Sequence, residues 1–417
     1  MNLYRLELKR VCKTRMTAIL LAIALVLTVV MAYLPTTFVG WTELDASGNE
    51  VRYTGLKAIR KRQEQQVSGT ITPDVMQEVL EAYQRVYQQY DASSINDIPD
   101  EVFYKELARY QPLVNNAKEA FADSKTGMAP GVMGLTAEDM QNFYSQLPKR
   151  LESVIWLEQS GKPGYEQAQA IAQKKFDAVQ KPFTYSFGVS SDAMDYQTLL
   201  SLLLTLLCAV IAAPVFASDA QTGAQDIQLC TKNGGLRLAA AKLAAAFSIT
   251  GAAYLLCGVV WILVTNALFG WESTQTSVQW LFSVTSLLPY TVGQMEWVML
   301  AANFLIFFAE VAFVLMASVW AKNNLTALSV ALISVVAPLI VYMVVPGSFG
   351  EWLSTLLPAG GIGLSNALLY KMIGFDFLYA GGHAFFQADV LLASAPIKIV
   401  LLVGLAAWGY LRKTKAA

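Results

Sequence analysis

Residues 196–217 read YQTLLSLLLTLLCAVIAAPVFA, a run without a single Asp, Glu, Lys, Arg or His. A helix needs about 20 mostly apolar residues to cross roughly 30 Å of hydrocarbon, where an unpaired backbone amide finds no solvent partner. Five further stretches meet that requirement: residues 17–34, 238–268, 297–320, 325–345 and 395–411. The chain as a whole agrees, since 55% of its 417 residues are apolar, only 15% are charged and its mean hydropathy is +0.43. That is more apolar surface than a soluble core usually buries. The sequence therefore predicts an all-α integral membrane protein with six transmembrane helices, the lipid bilayer being its solvent.

Lysine and arginine bias sets the orientation. Arg5, Lys9, Arg10, Lys13 and Arg15 precede the first helix; Lys232, Arg237 and Lys242 follow the second; Lys322 follows the fourth; Arg412, Lys413 and Lys415 follow the last. The short alternate segments, residues 269–296 and 346–394, carry only Lys371, with Lys398 just inside the last helix, where it can snorkel outward. Both termini are thus expected in the cytoplasm and residues 35–195 outside. The first apolar run, about 18 residues long, exceeds the roughly 7–15 of a secretory signal core, so an uncleaved anchor is expected despite the cleavage-like Val30, Met31, Ala32.

The large insertion between the first two helices contains no cysteine, so it must cohere by burial rather than by disulfides. Thr72, Pro73 and Asp74 read as a helix cap with proline at the first helical position, and Val75, Met76, Val79, Leu80, Ala82, Tyr83, Val86, Tyr87 and Tyr90 follow at helical spacing. Thr136 and Asp139 lead a second such run through Met140, Phe143, Tyr144 and Leu147. A mostly helical extracytoplasmic domain is expected, with few alternating strand patterns. Its 22 carboxylates outnumber its 16 Lys and Arg residues, which gives nucleic acid no electrostatic reason to bind.

Between the second and third helices, residues 218–237 read SDAQTGAQDIQLCTKNGGLR. This is a short helix with a glycine turn, rigidly joined to two membrane helices, and such an element can transmit a push. Asp219 closes one helix while Arg237 and Lys242 open the next, so carboxylate and cations are expected to face each other and lock the pair.

Here the chain resembles the type-2 ABC transporter permeases of bacteria. Asp219, Gly223, Leu229, Thr231, Arg237 and Lys242 stand where that family has an acid, a glycine, a leucine, a small polar residue, a basic residue and a lysine, and Asp226 lies among them. Two departures are aspartate in place of the commoner glutamate, and Lys232, Asn233, Gly234, Gly235 in place of a proline-containing turn. The basic amphipathic stretch 1–16, with Leu3, Leu6, Leu8 and Val11, resembles the family's interfacial helix. The domain after the first helix (17–34) and the remaining membrane part (196–417) resemble the branch with a large extracytoplasmic insertion.

The resemblance implies a permease subunit in the bacterial plasma membrane, an exporter paired with a second permease, alike or different. It implies alternating access driven by a cytoplasmic ABC ATPase, which would bind the ATP and Mg. The chain itself is expected to hold no cofactor. It has no Gly-x-x-x-x-Gly-Lys-[Ser/Thr] phosphate loop, since neither Lys125-Thr126 nor Lys413-Thr414 has the glycines before it.

Other features carry weaker signals. Residues 346–394 are aromatic and nearly uncharged, so they either dip into the bilayer as re-entrant helices or form a flap under the outer domain. Residues 364–373 are expected to form a short helix ended by Gly374, and Tyr290, Trp271, Trp280 and Trp297 are expected to mark the outer interface. Glu310 lies mid-helix and must face protein or water. With Asn303 seven residues earlier it either lines a transport path or bonds another helix. Pro214 and Pro338 are expected to kink their helices. His383 is the only histidine, and no Gly-x-Ser-x-Gly motif occurs, so neither a catalytic nor a metal site is expected. A competing reading is a non-transporting surface receptor or sensor, whose outer domain binds a ligand.

Overall fold

The computed structural model describes residues 3–45 and 47–416, with side chains through Lys413. Met1, Asn2 and the Lys415 side chain, assigned above to the terminal segments, lie outside the described residues. Helix α1 (Leu3–Cys12) leads into α2 (Arg15–Tyr33). The inserted domain contains α3 (Leu56–Gln65), α4 (Pro73–Gln89), α5 (Asp100–Val102), α6 (Gln111–Ala120), α7 (Ala137–Gln141), α8 (Phe143–Gln159) and α9 (Tyr165–Asp177). The chain then continues through α10 (Ser191–Ala212), α11 (Pro214–Thr222), α12 (Ala224–Leu229), α13 (Leu236–Phe269), α14 (Val278–Leu281), α15 (Val292–Trp320), α16 (Asn324–Val344), α17 (Gly347–Leu356), α18 (Leu368–Ile373) and α19 (Gln387–Ala416).

Among the described residues six helical stretches are long and apolar enough to cross a membrane: Arg15–Phe38, Ser191–Thr222, Leu236–Phe269, Val292–Trp320, Asn324–Val344 and Gln387–Lys413. In the bundle α15 touches α10, α13, α16 and α19, while α2 packs on α13 and α10. Val26, Ile333, Val344 and Val400 point outward from α2, α16 and α19. Water would penalise such a surface, whereas hydrocarbon accepts it. The fold is that of a helical multi-pass membrane protein.

Three helix starts lie five or more residues ahead of the sequence reading, and the first is that of α10, at Ser191 rather than residue 196. Helix α15 begins at Val292, ahead of residue 297, because Thr291 and Gln294 form a reciprocal cap. This draws Glu296 into the helix and buries it. Helix α19 begins at Gln387, ahead of residue 395.

The inserted domain is helical, as its spacing predicts. The Thr72 hydroxyl accepts from Val75 N at 3.4 Å and Thr136 shares a capping box with Asp139. Met76, Val79, Leu80, Tyr83 and Val86 are buried against α6, α7 and α8. Tyr90, at the very end of α4, is instead exposed.

Among the described residues three short antiparallel pairings escape the helical reading. Strands β1 (Gly40–Leu44) and β2 (Glu50–Thr54) form a hairpin, and β3 (Gly69–Thr70) pairs with β4 (Thr184–Tyr185). Strands β5 (Phe377–Ala380) and β6 (His383–Phe386) form a second hairpin, turned by Gly381 and Gly382, both at positive φ. Only glycine takes up two such residues in succession without strain.

Domain and bundle are firmly joined. Ser277 N donates to Thr184 O at 2.8 Å, and the Thr276 hydroxyl donates to Ser186 O at 2.8 Å. Trp280, expected at the interface surface, is buried instead: its ring stacks on Phe143 at 6.2 Å and meets Phe183 edge-on at 5.9 Å. It is a bolt between the α14 segment and α8. Trp280→Ala is expected to destabilise the protein by about 3–5 kcal/mol and to make the inserted domain protease-sensitive before the bundle melts, as limited proteolysis along a thermal ramp would report.

Candidate coupling site

The segment after α10 is shaped by one proline and two glycines. Pro214 interrupts the hydrogen-bond ladder between α10 and α11. The Ser318 hydroxyl of α15 fills the gap, accepting from Phe216 N and Ala217 N at 3.1 Å and donating to Ala213 O at 2.6 Å. Helix α11 ends at Gly223, whose φ of 73° is left-handed. Helix α12 then runs to Leu229. The following turn returns so closely that a Cβ on Gly234 would lie 1.8 Å from Gln228 O.

Asp219 lies at the centre of an ionic chain that is buried except at Arg10, which is half-buried. Arg10 Nη1 donates to both of its oxygens, at 2.8 and 3.1 Å, and Arg10 Nη2 donates to Val215 O at 2.9 Å. Lys242, 1% exposed, donates to Asp219 Oδ2 and, at 3.1 Å, to Gln228 Oε1. Glu7 completes the chain on Arg10 Nε at 2.9 Å. Negative and positive groups alternate from Glu7 through Arg10 and Asp219 to Lys242. Helices α1, α11 and α13 therefore cannot part without stranding a buried charge.

The expected lock is thus half right. Lys242 pairs with Asp219, but Arg237 is exposed and makes no ion pair among the described residues. Five residues along a helix turn about 140°, so the two cations cannot share one face. Arg10, remote in sequence, takes the second place. Neither Arg10 nor Glu7 was singled out by the sequence reading of this site. The available signal was that Glu7 is the only acid in a strongly basic stretch.

The remaining residues of the segment form its outer surface. Leu229 packs partly against the core, and the Thr231 hydroxyl donates to Gln228 O at 2.7 Å. Asp226, Lys232 and Arg237 are exposed, as are Ile227 at 73% and Leu236 at 54%. A rigidly mounted element thus presents two apolar side chains ringed by charges.

Asn303 and Glu310, both buried, do not share a cavity. Asn303 lines a small void with Gln197, Ser201, Tyr254 and Trp261, whereas Glu310 lies 2.5 Å from the Ser334 hydroxyl of α16. The carboxyl therefore faces protein and bonds another helix.

The 346–394 segment forms two short helices, α17 and α18, followed by the β5–β6 hairpin. Helix α17 folds back against α16 and α19, and Lys398 Nζ donates to Thr355 O and Leu357 O at its end, each at 3.0 Å. Lys398 therefore turns inward to cap a helix C-terminus, where a cation is favoured, rather than snorkelling outward. Helix α18 stops at Gly374, and the β5–β6 hairpin docks under α9, with Ala384 N donating to Gln167 Oε1 at 3.0 Å and Tyr379 OH to Gln159 Oε1 at 2.8 Å. All four cysteines are free, Cys12 and Cys230 exposed, Cys208 and Cys257 buried. No family model, curated protein or solved structure matches the chain.

Proposed function

We propose that this chain is the membrane subunit of an ATP-driven transporter of the ABC type, a permease that exports its substrate across a bacterial plasma membrane. On this reading both termini and the 218–237 segment face the cytoplasm, and the inserted domain faces outward. Two permeases, alike or different, pair with two copies of a separate ATPase that binds ATP and Mg. Closure of the ATPases pushes α12, and the ionic chain at Asp219 passes the push to α1, α11 and α13, alternating access through the bundle.

The observation that carries this reading is the contrast within one segment. Its inner side is held to three helices by buried charges, while its outer side exposes Ile227, Leu236 and Arg237. A mere linker has no need of such anchorage, whereas a lever needs both. An apolar contact ringed by charge is a common anatomy for a protein interface.

The test is co-purification of the membrane-extracted chain with an ABC ATPase and measurement of that ATPase's turnover. Ile227→Glu and Arg237→Glu are expected to reduce association at least about tenfold, the effect of losing roughly 1.4 kcal/mol, with the yield of the chain unchanged. Retention of no ATPase by the wild-type chain would favour the receptor reading instead.

A further inference from the structure

Near the domain end of the bundle, three helices bring a second set of polar groups together. Glu296 of α15 is 1% exposed, and no ion pair to it exists among the described residues. Its Oε2 accepts from Asn266 Nδ2 of α13 at 2.6 Å, and its main-chain oxygen accepts from Gln197 Nε2 of α10 at 3.0 Å. Asn266 is wholly buried and Gln197 is 7% exposed. Asn266 Nδ2 also reaches Ile262 O at 2.9 Å, so both of its N–H groups are used.

What remains is a surplus of acceptors. Glu296 Oε1, Asn266 Oδ1 and Gln197 Oε1 are all buried without a protein donor, as is the Thr265 hydroxyl on the same turn of α13. Gln197 also borders a void of about 20 Å³ that reaches Trp261 and Asn303. Buried acceptors without donors cost about 1–3 kcal/mol each, and an uncompensated buried carboxylate costs more. A water molecule would answer the oxygens but not the charge. A proton on Oε1 would answer the charge but, as a single donor, at most one of the two amide oxygens.

A metal cation answers both, because hard cations are held by carboxylate and amide oxygens. Only one carboxylate is present, so a single positive charge neutralises the site, whereas a divalent ion would leave a net charge in a medium of low dielectric. No cluster of three or more His, Cys, Asp or Glu side chains exists among the described residues, which sets the site apart from transition-metal or calcium chemistry.

We propose that Glu296, Asn266 and Gln197 form a binding site for one alkali cation, clamping α10, α13 and α15 together beneath the inserted domain. Such a site is complete within this chain and needs no ATPase partner.

The test uses the purified full-length chain in detergent, exchanged into choline chloride at constant ionic strength and at a pH well above the carboxylate range. Sodium, potassium and lithium chloride are then titrated in turn while thermal unfolding is followed by tryptophan fluorescence. At least one alkali ion is expected to raise the midpoint saturably, by several degrees at about a hundredfold above half-saturation. Glu296→Gln should abolish the response, and Asn266→Ala should raise the half-saturating concentration at least about tenfold. Equal effects of choline and alkali salts overturn the proposal, as does an undiminished response in Glu296→Gln, or stabilisation by acid alone. Should Glu296→Gln fail to fold, Gln197→Met carries the test: an unchanged half-saturation in that variant is equally fatal.

Discussion

Asp219→Ala is expected to destabilise the protein by about 3–5 kcal/mol, the usual cost of breaking a buried charge pair from one side. The substitution leaves Lys242 and Arg10 facing each other with no carboxylate between them, and Lys242 is almost wholly enclosed. Lys242→Met should cost less, because Arg10 still holds Asp219 by two hydrogen bonds. The double variant should recover much of the loss, since an apolar replacement of the whole pair strands no charge. Thermal midpoints of the four proteins in one detergent form the cycle that measures this. Additive effects would mean that Asp219 and Lys242 do not act as a pair.

Gly234→Ala should act on coupling rather than on the bundle. Its Cβ would collide with the backbone of Gln228 and Leu229, and no side chain can swing away to admit it. The turn must therefore open. Gln228 would be dragged from Lys242, and α12 would lose its second anchor. A local cost of roughly 2–3 kcal/mol is in the upper part of the usual range for a single substitution. It corresponds to a reduction of roughly 30- to 150-fold in the population holding the gripped conformation. ATPase stimulation by Gly234→Ala should fall accordingly, with the thermal midpoint of the bundle nearly unchanged. Asn233→Ala, at the exposed neighbouring position, should leave both within about 0.5 kcal/mol of wild type.

The parts of this architecture that were legible in the sequence are those set by local chemistry. The six apolar runs, the Thr72 and Thr136 caps and the α12 helix after Gly223 each follow from a few consecutive residues. The Asp219–Lys242 pair was legible because both partners flank one short segment. Arg10 was not, being over two hundred residues away from the carboxylate it serves. Gly381-Gly382 between alternating aromatics is a recognisable hairpin signal, but the apolar composition around it suggested a membrane surface instead. The apolar run that starts at residue 297 stops short of Glu296, since a charge ordinarily marks the end of a membrane segment. The Thr291 cap, a signal equally present in the sequence, places it inside the helix. Burial of a polar side chain depends on what the other helices bring to it, and that information is not local.

If the 218–237 segment is a cytoplasmic lever gripped by an ATPase, as proposed, the native thiol of Cys230 reports on it directly. In a Cys12→Ser background Cys230 is the one exposed thiol among the described residues. Its rate of labelling by a membrane-impermeant maleimide is to be measured in intact cells and in inverted vesicles, with and without the ATPase. Labelling is expected only in the inverted vesicles, and bound ATPase should slow it at least about tenfold. Labelling in intact cells, or a rate indifferent to the ATPase, would contradict the account.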